Sequence, residues 1–417
     1  MIYALLNALL YIGLLLWYRN KYHKIDCGFL MISIWTFVAI CNFFFYLSVP
    51  KEFHLQLWPF LYLFGAFFLY NRLFFKSEKE VLNVTEYTEG QSKVIDYICY
   101  FYIFCLVVNM LSADYSLSSL SLSSVQENAA DSYMEYHAAD KWHSQTLLER
   151  ITMNYAVWFF NVAIIGAFIW IVRGKTGKGI ALLGLLILDQ GLKSIQIASR
   201  GSLFFVVLLF IAVYLIYKDY IPRSAKRSLK QLALISGGVL ALYMLAITIS
   251  RFGELNKGGS DSLFEYFGHS MLTFNYGVAD SLDRTFMGTR TFRNIIGLDE
   301  DFLFDADSML GTHFGSGFTT TIGMLCLDFG FLGTLALGVA LPWLLLRLIK
   351  LDNSIGGVFV YIFYFHRMMN GVFVNGSGAD SAYISMMIVY TVLFIAMKIT
   401  GKKKRNKGSN IITYNEA

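Results

Sequence analysis

Charged residues are scarce in this 417-residue chain. Asp, Glu, Lys and Arg together make up 15% of it, against about 25% in typical soluble domains. Hydrophobic residues account for 56% and aromatic residues for 17%, which is typical of a chain whose outer surface contacts lipid. The composition therefore argues against a soluble protein and gives no basis for nucleic acid as a partner.

Cysteine is also scarce, and several catalytic motifs are missing. The five cysteines lie in apolar runs without closely spaced Cys or His partners, so we interpret them as core residues and predict neither a metal nor a disulfide. They are Cys27, Cys41, Cys99, Cys105 and Cys326. The chain lacks a Gly-x-Ser-x-Gly elbow and a zinc-protease helix, and residues 174–179 form only part of a P-loop. These absences argue against ATP-driven transport and predict an activity without a cofactor.

Long apolar runs are abundant. A membrane-spanning helix needs about 20 apolar residues, and eleven runs reach or approach that length. They are 2–18, 27–49, 56–75, 94–112, 152–172, 180–198, 203–217, 232–250, 329–346, 355–374 and 381–397. The pattern predicts an all-α, polytopic integral membrane protein with about eleven transmembrane helices in a single membrane domain, 1–417.

Lys and Arg alternate in density between successive connections. On one side lie 23 of the 34 basic residues and on the other side nine, while Lys193 and Arg367 fall inside apolar runs. Because basic loops resist translocation, the dense side, which includes the basic tail 398–417, is predicted to be cytoplasmic. The N-terminus and the long connections 113–151 and 251–328 are then exterior. The mixed aromatic and charged residues of the second connection are typical of amphipathic helices along a membrane.

A polar stripe crosses the sixth apolar run. Its members are Asp189, Lys193, Gln196 and Arg200. They fall within about 60° of one another on a helix and rise about 16 Å, from mid-membrane to the exterior surface. Ionisable groups at that depth are costly, so each one is a functional candidate. Asp189 and Lys193 could also be an ion pair that only neutralises itself.

Arginines at the predicted exterior surface suggest an anionic ligand. Arg200 has no acidic neighbour in sequence, and its guanidinium could bind phosphate bidentately, unless it extends to lipid headgroups instead. Arg251 closes the eighth run in a similar way, and two arginines at one face would suit a pyrophosphate. Arg367 is expected to face the interior of the bundle, where it contacts a ligand or pairs with Asp328 or Asp189.

Two segments carry a resemblance to a known family. Ser199-Arg200-Gly201 opens one apolar run, and 319–333 (TTTIGMLCLDFGFLG) enters another after a large exterior loop. In these segments and in overall layout, the chain resembles the Wzy-type O-antigen polymerases, also called oligosaccharide repeat unit polymerases. Membership would imply a bacterial inner-membrane glycosyltransferase that joins undecaprenyl-diphosphate-linked oligosaccharides at the periplasmic face. No metal or nucleotide would take part, and a flippase and a chain-length regulator would be partners.

The chemistry that the resemblance implies assigns roles to the polar residues. Negative charge grows on the departing pyrophosphate, and fixed cations that stabilise this charge accelerate the reaction. Asp328 and His313 are the candidates for the base that activates the acceptor hydroxyl. The residues predicted to bind the pyrophosphate or to support its site are Arg200, Arg251, Arg367, Lys193, Asp189 and Gln196.

Two other functions remain open. O-antigen ligases usually have a histidine where this chain has Thr319, so the polymerase is favoured over the ligase. A flippase or secondary transporter would need the polar stripe to continue into the cytoplasmic half, with inverted repeats and broken helices. The stripe ends near Asp189, and no repeat is visible in the sequence.

Overall fold

The structure, a computed structural model, is mostly helical in its described part. Within that part the chain is 86% helix and has no strand, which confirms the all-α prediction. Each of the eleven apolar runs contains helix. The described residues are 1–48, 54–76, 81–82, 84, 88–112, 146–196, 200–252, 259–279, 285–289, 291–292, 296–297, 320–352, 355–372 and 381–402. Most of loop 113–151, much of loop 251–328 and the end of the tail 398–417 lie outside these residues.

Thirteen helices are described, and a π-helix, Phe274–Val278, follows the tenth. They are α1 (Ile2–Tyr22), α2 (Cys27–Ser48), α3 (Leu57–Asn71), α4 (Glu89–Ser112), α5 (Leu147–Trp158), α6 (Phe160–Val172), α7 (Thr176–Gln196), α8 (Arg200–Tyr217), α9 (Arg223–Phe252), α10 (Gly259–Thr273), α11 (Thr321–Asp352), α12 (Ile355–Asn370) and α13 (Ser381–Lys402).

Several helices are long and apolar enough to cross a membrane. Among the described residues these are Ile2–Tyr22, Cys27–Leu47, Glu89–Leu111 and Thr321–Lys350. Helices α5 and α6 qualify only together, and they are bent by 65° where Phe159 separates them, so the run 152–172 is two helices rather than one. The structure thus indicates a membrane protein with four such helices, or five with the bent pair. The larger number, eleven, stays a prediction.

The chain divides into two compact units. Unit 1 consists of Met1–Leu82, Lys257–Leu351 and Phe363–Tyr390. Unit 2 consists of Asn83–Asn256, Asp352–Ile362 and Thr391–Ala417. Helices α12 and α13 therefore each contribute residues to both units.

In unit 1, α1 and α2 form a helical hairpin that a buried carboxylate closes. Asp26 Oδ1 accepts a hydrogen bond from Phe29 N at 2.9 Å and so caps the start of α2. The Tyr18 hydroxyl donates to the same carboxylate from α1, also at 2.9 Å. His23 ends α1 with a left-handed backbone (φ 50°), which turns the chain within four residues. The turn thus comes from local sequence and is fixed by Tyr18.

Helix α10 packs directly on α2 because it has a glycine at the contact. A Cβ atom at Gly268 would lie only 2.5 Å from the backbone nitrogen of Asn42. Asn42 Nδ2 donates to the Gly268 carbonyl at 2.9 Å, and the rings of Phe37 and Phe267 meet edge to face at 5.1 Å. The first helix of the predicted exterior loop 251–328 is therefore an integral part of unit 1.

In unit 2, α6 forms the apolar centre. Every residue of Phe160–Val172 is buried, as expected for a helix that is hydrophobic all round. Helix α7 packs against α4, α6, α8 and α9. Asp189, in the second half of α7, is fully buried in this unit.

A charged cluster ties α4 to the turn between α6 and α7. Asp96 Oδ1 accepts from Trp170 Nε1 at 2.6 Å and from Arg173 at 2.8 Å, while its Oδ2 accepts from Lys175 at 2.9 Å. About a fifth of the Asp96 side chain is exposed. Lys175 belongs to the P-loop-like segment 174–179, so the structure assigns that lysine to a fold contact.

Asp96→Asn is expected to lower the free energy of unfolding by about 1–2 kcal/mol, because Arg173 and Lys175 lose the carboxylate that they share. The loss would appear as a fall of a few degrees in the thermal transition of the detergent-purified protein. Lys93→Gln is the matched control, since it breaks only the highly exposed pair with Glu89 and is expected to leave the transition unchanged. Equal shifts in the two variants would show that the cluster adds no stability.

Candidate functional site

A carboxylate and an ammonium form an ion pair in the second half of α7. Lys193 Nζ lies 2.8 Å from Asp189 Oδ2, one helical turn away. Gln190 Nε2 donates a second hydrogen bond to the same oxygen at 3.1 Å. The Asp189 side chain is fully buried, whereas 30% of the Lys193 side chain is exposed. The ion pair that the i,i+4 spacing predicts is therefore present in the structure.

The second oxygen of Asp189 has no hydrogen-bond donor. Within the described part of the chain, Oδ1 is buried and accepts nothing, although Oδ2 accepts two hydrogen bonds. A buried acceptor without a donor costs about 1–3 kcal/mol, so a hydroxyl or amide that reached Oδ1 would be bound favourably. Since Lys193 is partly exposed, the pair joins a buried acceptor to an accessible cation. That combination suits a polar, anionic ligand.

The predicted single-helix stripe is wrong at Arg200, because the structure divides the stripe between two helices. Helix α7 ends at Gln196 and α8 begins at Arg200, while residues 197–199 lie outside the described part. Arg251 is the residue before the end of α9. At Gln196, Arg200 and Arg251 the description covers the helical backbone only. Position 200 is the first residue of an 18-residue helix, where unpaired backbone N–H groups favour an anion.

In unit 1, Asp328 lies beside a break in α11. Gly330 has a left-handed φ of 70° with ψ 173°, so the helix is interrupted there. The carbonyls of Leu327 and Asp328 instead accept hydrogen bonds from Phe286 N at 3.0 Å and Gly288 N at 3.1 Å. The chain around residues 285–289 therefore caps the first half of α11.

The Asp328 carboxylate fastens this capping segment. Its Oδ2 accepts hydrogen bonds from both the backbone N–H of Thr291, at 2.6 Å, and the Thr291 hydroxyl. Asp328 is almost completely buried. Thr291 could not be identified from the sequence, since no local pattern links it to Asp328, 37 positions away. The observed contacts give Asp328 a role in holding the loop.

Hydroxyl groups satisfy the carbonyls beyond the break. Tyr62 and Tyr70 of α3 donate to the carbonyls of Phe331, at 2.7 Å, and Thr334, at 2.9 Å. The Thr334 hydroxyl donates to the Gly330 carbonyl at 2.8 Å. The interruption is thus closed by protein groups, as irregular backbone at membrane depth requires.

The two remaining candidates from the sequence are Arg367 and His313. Arg367 is partly buried near the end of α12, where its neighbour His366 lies 3.2 Å (Nε2 to Nδ2) from Asn370. His313 lies outside the described residues. Arg367 and Asp328 belong to unit 1, whereas the stripe residues and Arg251 belong to unit 2.

Side chains that bind metal ions do not cluster in the described part of the chain. In the described part of the chain, no three His, Cys, Asp or Glu side chains converge in a way that could hold one. All five cysteines are buried, as the sequence indicates for core residues.

Comparison with known proteins adds no assignment. No family model, no curated protein and no solved structure matches this chain. The likeness to Wzy-type polymerases therefore stays a prediction based on residues 199–201 and 319–333. The function has to be argued from the polar groups of the two units.

Proposed function

We propose that this protein polymerises undecaprenyl-diphosphate-linked oligosaccharide repeat units. The observation that carries the proposal is the Asp189–Lys193 pair, with a partly exposed ammonium and a buried carboxylate oxygen that accepts no hydrogen bond from the described residues. A cation placed beside an acceptor for hydroxyl groups suits a ligand that combines phosphate with sugar. Arg200 is the first residue of the next helix, α8.

The proposed chemistry is glycosyl transfer from the growing lipid-linked chain to a new unit. Arg200 and Arg251 bind the departing pyrophosphate, with Lys193 in support, and they stabilise its charge more in the transition state than in the ground state. The sequence prediction assigns removal of the proton from the acceptor hydroxyl to Asp328 or His313. No metal or nucleotide takes part in this scheme.

The proposal places the protein in a bacterial inner membrane. The uneven distribution of Lys and Arg supports an exterior N-terminus and a cytoplasmic C-terminus, with loops 113–151 and 251–328 in the periplasm. Substrate would then reach the arginines from the periplasmic side. A flippase that delivers the lipid-linked unit and a regulator of chain length are the partners that such an enzyme requires.

The test is a reconstitution without an energy source. Proteoliposomes containing the purified protein and lipid-linked repeat units are expected to produce a ladder of longer lipid-linked glycans, separated by electrophoresis. Proteoliposomes with Arg200→Ala protein are the control. Transfer of the glycan to an acceptor other than the lipid carrier would identify a ligase. Movement of unchanged units across the membrane without any lengthening would contradict the polymerase.

A transporter is the second candidate, because a broken helix is present. Such helices bind substrates with backbone groups that the break leaves unpaired. In α11, however, the carbonyls of Leu327, Asp328, Gly330 and Phe331 all accept hydrogen bonds from protein groups. The break is therefore closed to a ligand at these carbonyls, which favours the polymerase.

A further inference from the structure

Helix α9 begins with four basic residues on one face. They are Arg223, Lys226, Arg227 and Lys230, and on an α-helix they lie within about 100° of one another. Three of them are exposed and Lys226 is partly exposed. Within the described part of the chain, Arg223, Arg227 and Lys230 form no ion pair. We call this surface the basic face of α9.

The opposite side of the same turns is anchored in unit 2. Ala225 and Leu229, which point about 110–150° away from the centre of the basic face, are both buried. Ile221, just before the helix, is buried as well. The basic face is thus presented by a fixed helix, and the loss of its charges would not disturb the packing.

The basic face changes to an apolar surface within one helical turn. Leu234 follows Lys230 by four residues, so it lies on the same face about 6 Å further along the helix. Leu234 is 66% exposed and Ile235 is 69% exposed. In a bilayer, exposed apolar side chains contact acyl chains, and basic residues one turn away then reach the headgroups.

We propose that the basic face of α9 binds the headgroups of anionic phospholipids, whose acyl chains cover Leu234 and Ile235. A ligand that is anionic at one end and apolar at the other fits this order of side chains, whereas an acidic protein would leave the exposed leucine and isoleucine uncovered. The arginines donate several hydrogen bonds to a phosphate, and each basic residue adds attraction to an anionic leaflet. This binding does not depend on the polymerase activity.

Native mass spectrometry of the full-length protein in neutral detergent tests the proposal. The parent protein is expected to retain phosphatidylglycerol in preference to phosphatidylcholine. The triple variant Arg223→Gln/Arg227→Gln/Lys230→Gln is expected to lose that preference by about a hundredfold, because each basic residue near an anionic surface contributes about fivefold. Its thermal transition should stay within about 2 °C of the parent, since the substituted side chains are exposed.

Charge-conserving and distant variants control for damage. Arg223→Lys/Arg227→Lys keeps the charge and is expected to retain most of the preference, and Lys93→Gln, an exposed residue outside the face, is expected to retain all of it. A triple variant that binds phosphatidylglycerol as the parent does would overturn the proposal. So would a parent protein that prefers a polyprenyl phosphate to phosphatidylglycerol by more than tenfold, because the face would then hold the carrier lipid.

Discussion

Cells that produce the Arg200→Ala protein are expected to lose polymer and to accumulate single repeat units, and the same result is expected for Arg251→Ala. If these arginines stabilise the departing pyrophosphate, removal of one donor lowers the rate by roughly a hundredfold or more. The effect is measured as the glycan profile of cells in which the variant replaces the wild-type protein. Immunoblotting shows that the variant is present in membranes.

Two further variants separate binding from structure. Arg200→Lys keeps the positive charge but loses the bidentate geometry, so partial activity is expected. Arg150→Ala removes an exposed arginine near the start of α5, on the predicted exterior side, and should leave polymer length and yield unchanged. Normal polymer from Arg200→Ala or Arg251→Ala would refute the pyrophosphate role, and full activity of Arg200→Lys would show that the guanidinium geometry is irrelevant.

Lys193→Met is expected to destabilise unit 2 severely. The Asp189 carboxylate is fully buried in the structure, and Lys193 provides its only cation there among the described residues. Leaving a buried charge without its partner costs about 3–5 kcal/mol, so little protein should reach the membrane. The amount of detergent-extractable protein and its thermal transition are the measurements.

The double variant Asp189→Asn/Lys193→Met distinguishes a structural pair from a functional one. It removes both charges, and because replacing a buried pair is often neutral for stability, it is expected to restore the yield of folded protein. Polymer is not expected to return, because the proposed function needs the ammonium near the pyrophosphate. Normal polymer from the double variant would make the pair purely structural, and a stable Lys193→Met single variant would show that the carboxylate does not need the cation.

The helices themselves were largely predictable. Apolar runs long enough to span a membrane mark where helices form, and the ends differ mainly where polar residues extend them. Helix α9, for example, begins at Arg223 rather than at the apolar residue 232. The bend at Phe159 was not predictable, because an apolar sequence continues through it without proline or glycine.

The candidate site was predictable only where it is local. Asp189 and Lys193 share a helix face by spacing alone, and they form an ion pair. Gln190 was also predictable, because a side chain next to Asp189 in sequence can reach the Asp189 carboxylate. The contact between Asp328 and Thr291, and the one between Asp96 and Lys175, join positions far apart in sequence, and no periodicity encodes them.

The sequence by itself determined that the chain is helical and apolar, that it carries ionisable groups within apolar runs, and that Asp189 can reach Lys193. These properties depend on composition and on the helical repeat, which act over a few residues. The tertiary structure alone decided that Gly330 interrupts α11, that Thr291 holds Asp328, and that α10 packs on α2 through Gly268. Each of these depends on which distant backbone atoms come close enough to donate, accept or collide, and only the packed chain fixes those distances.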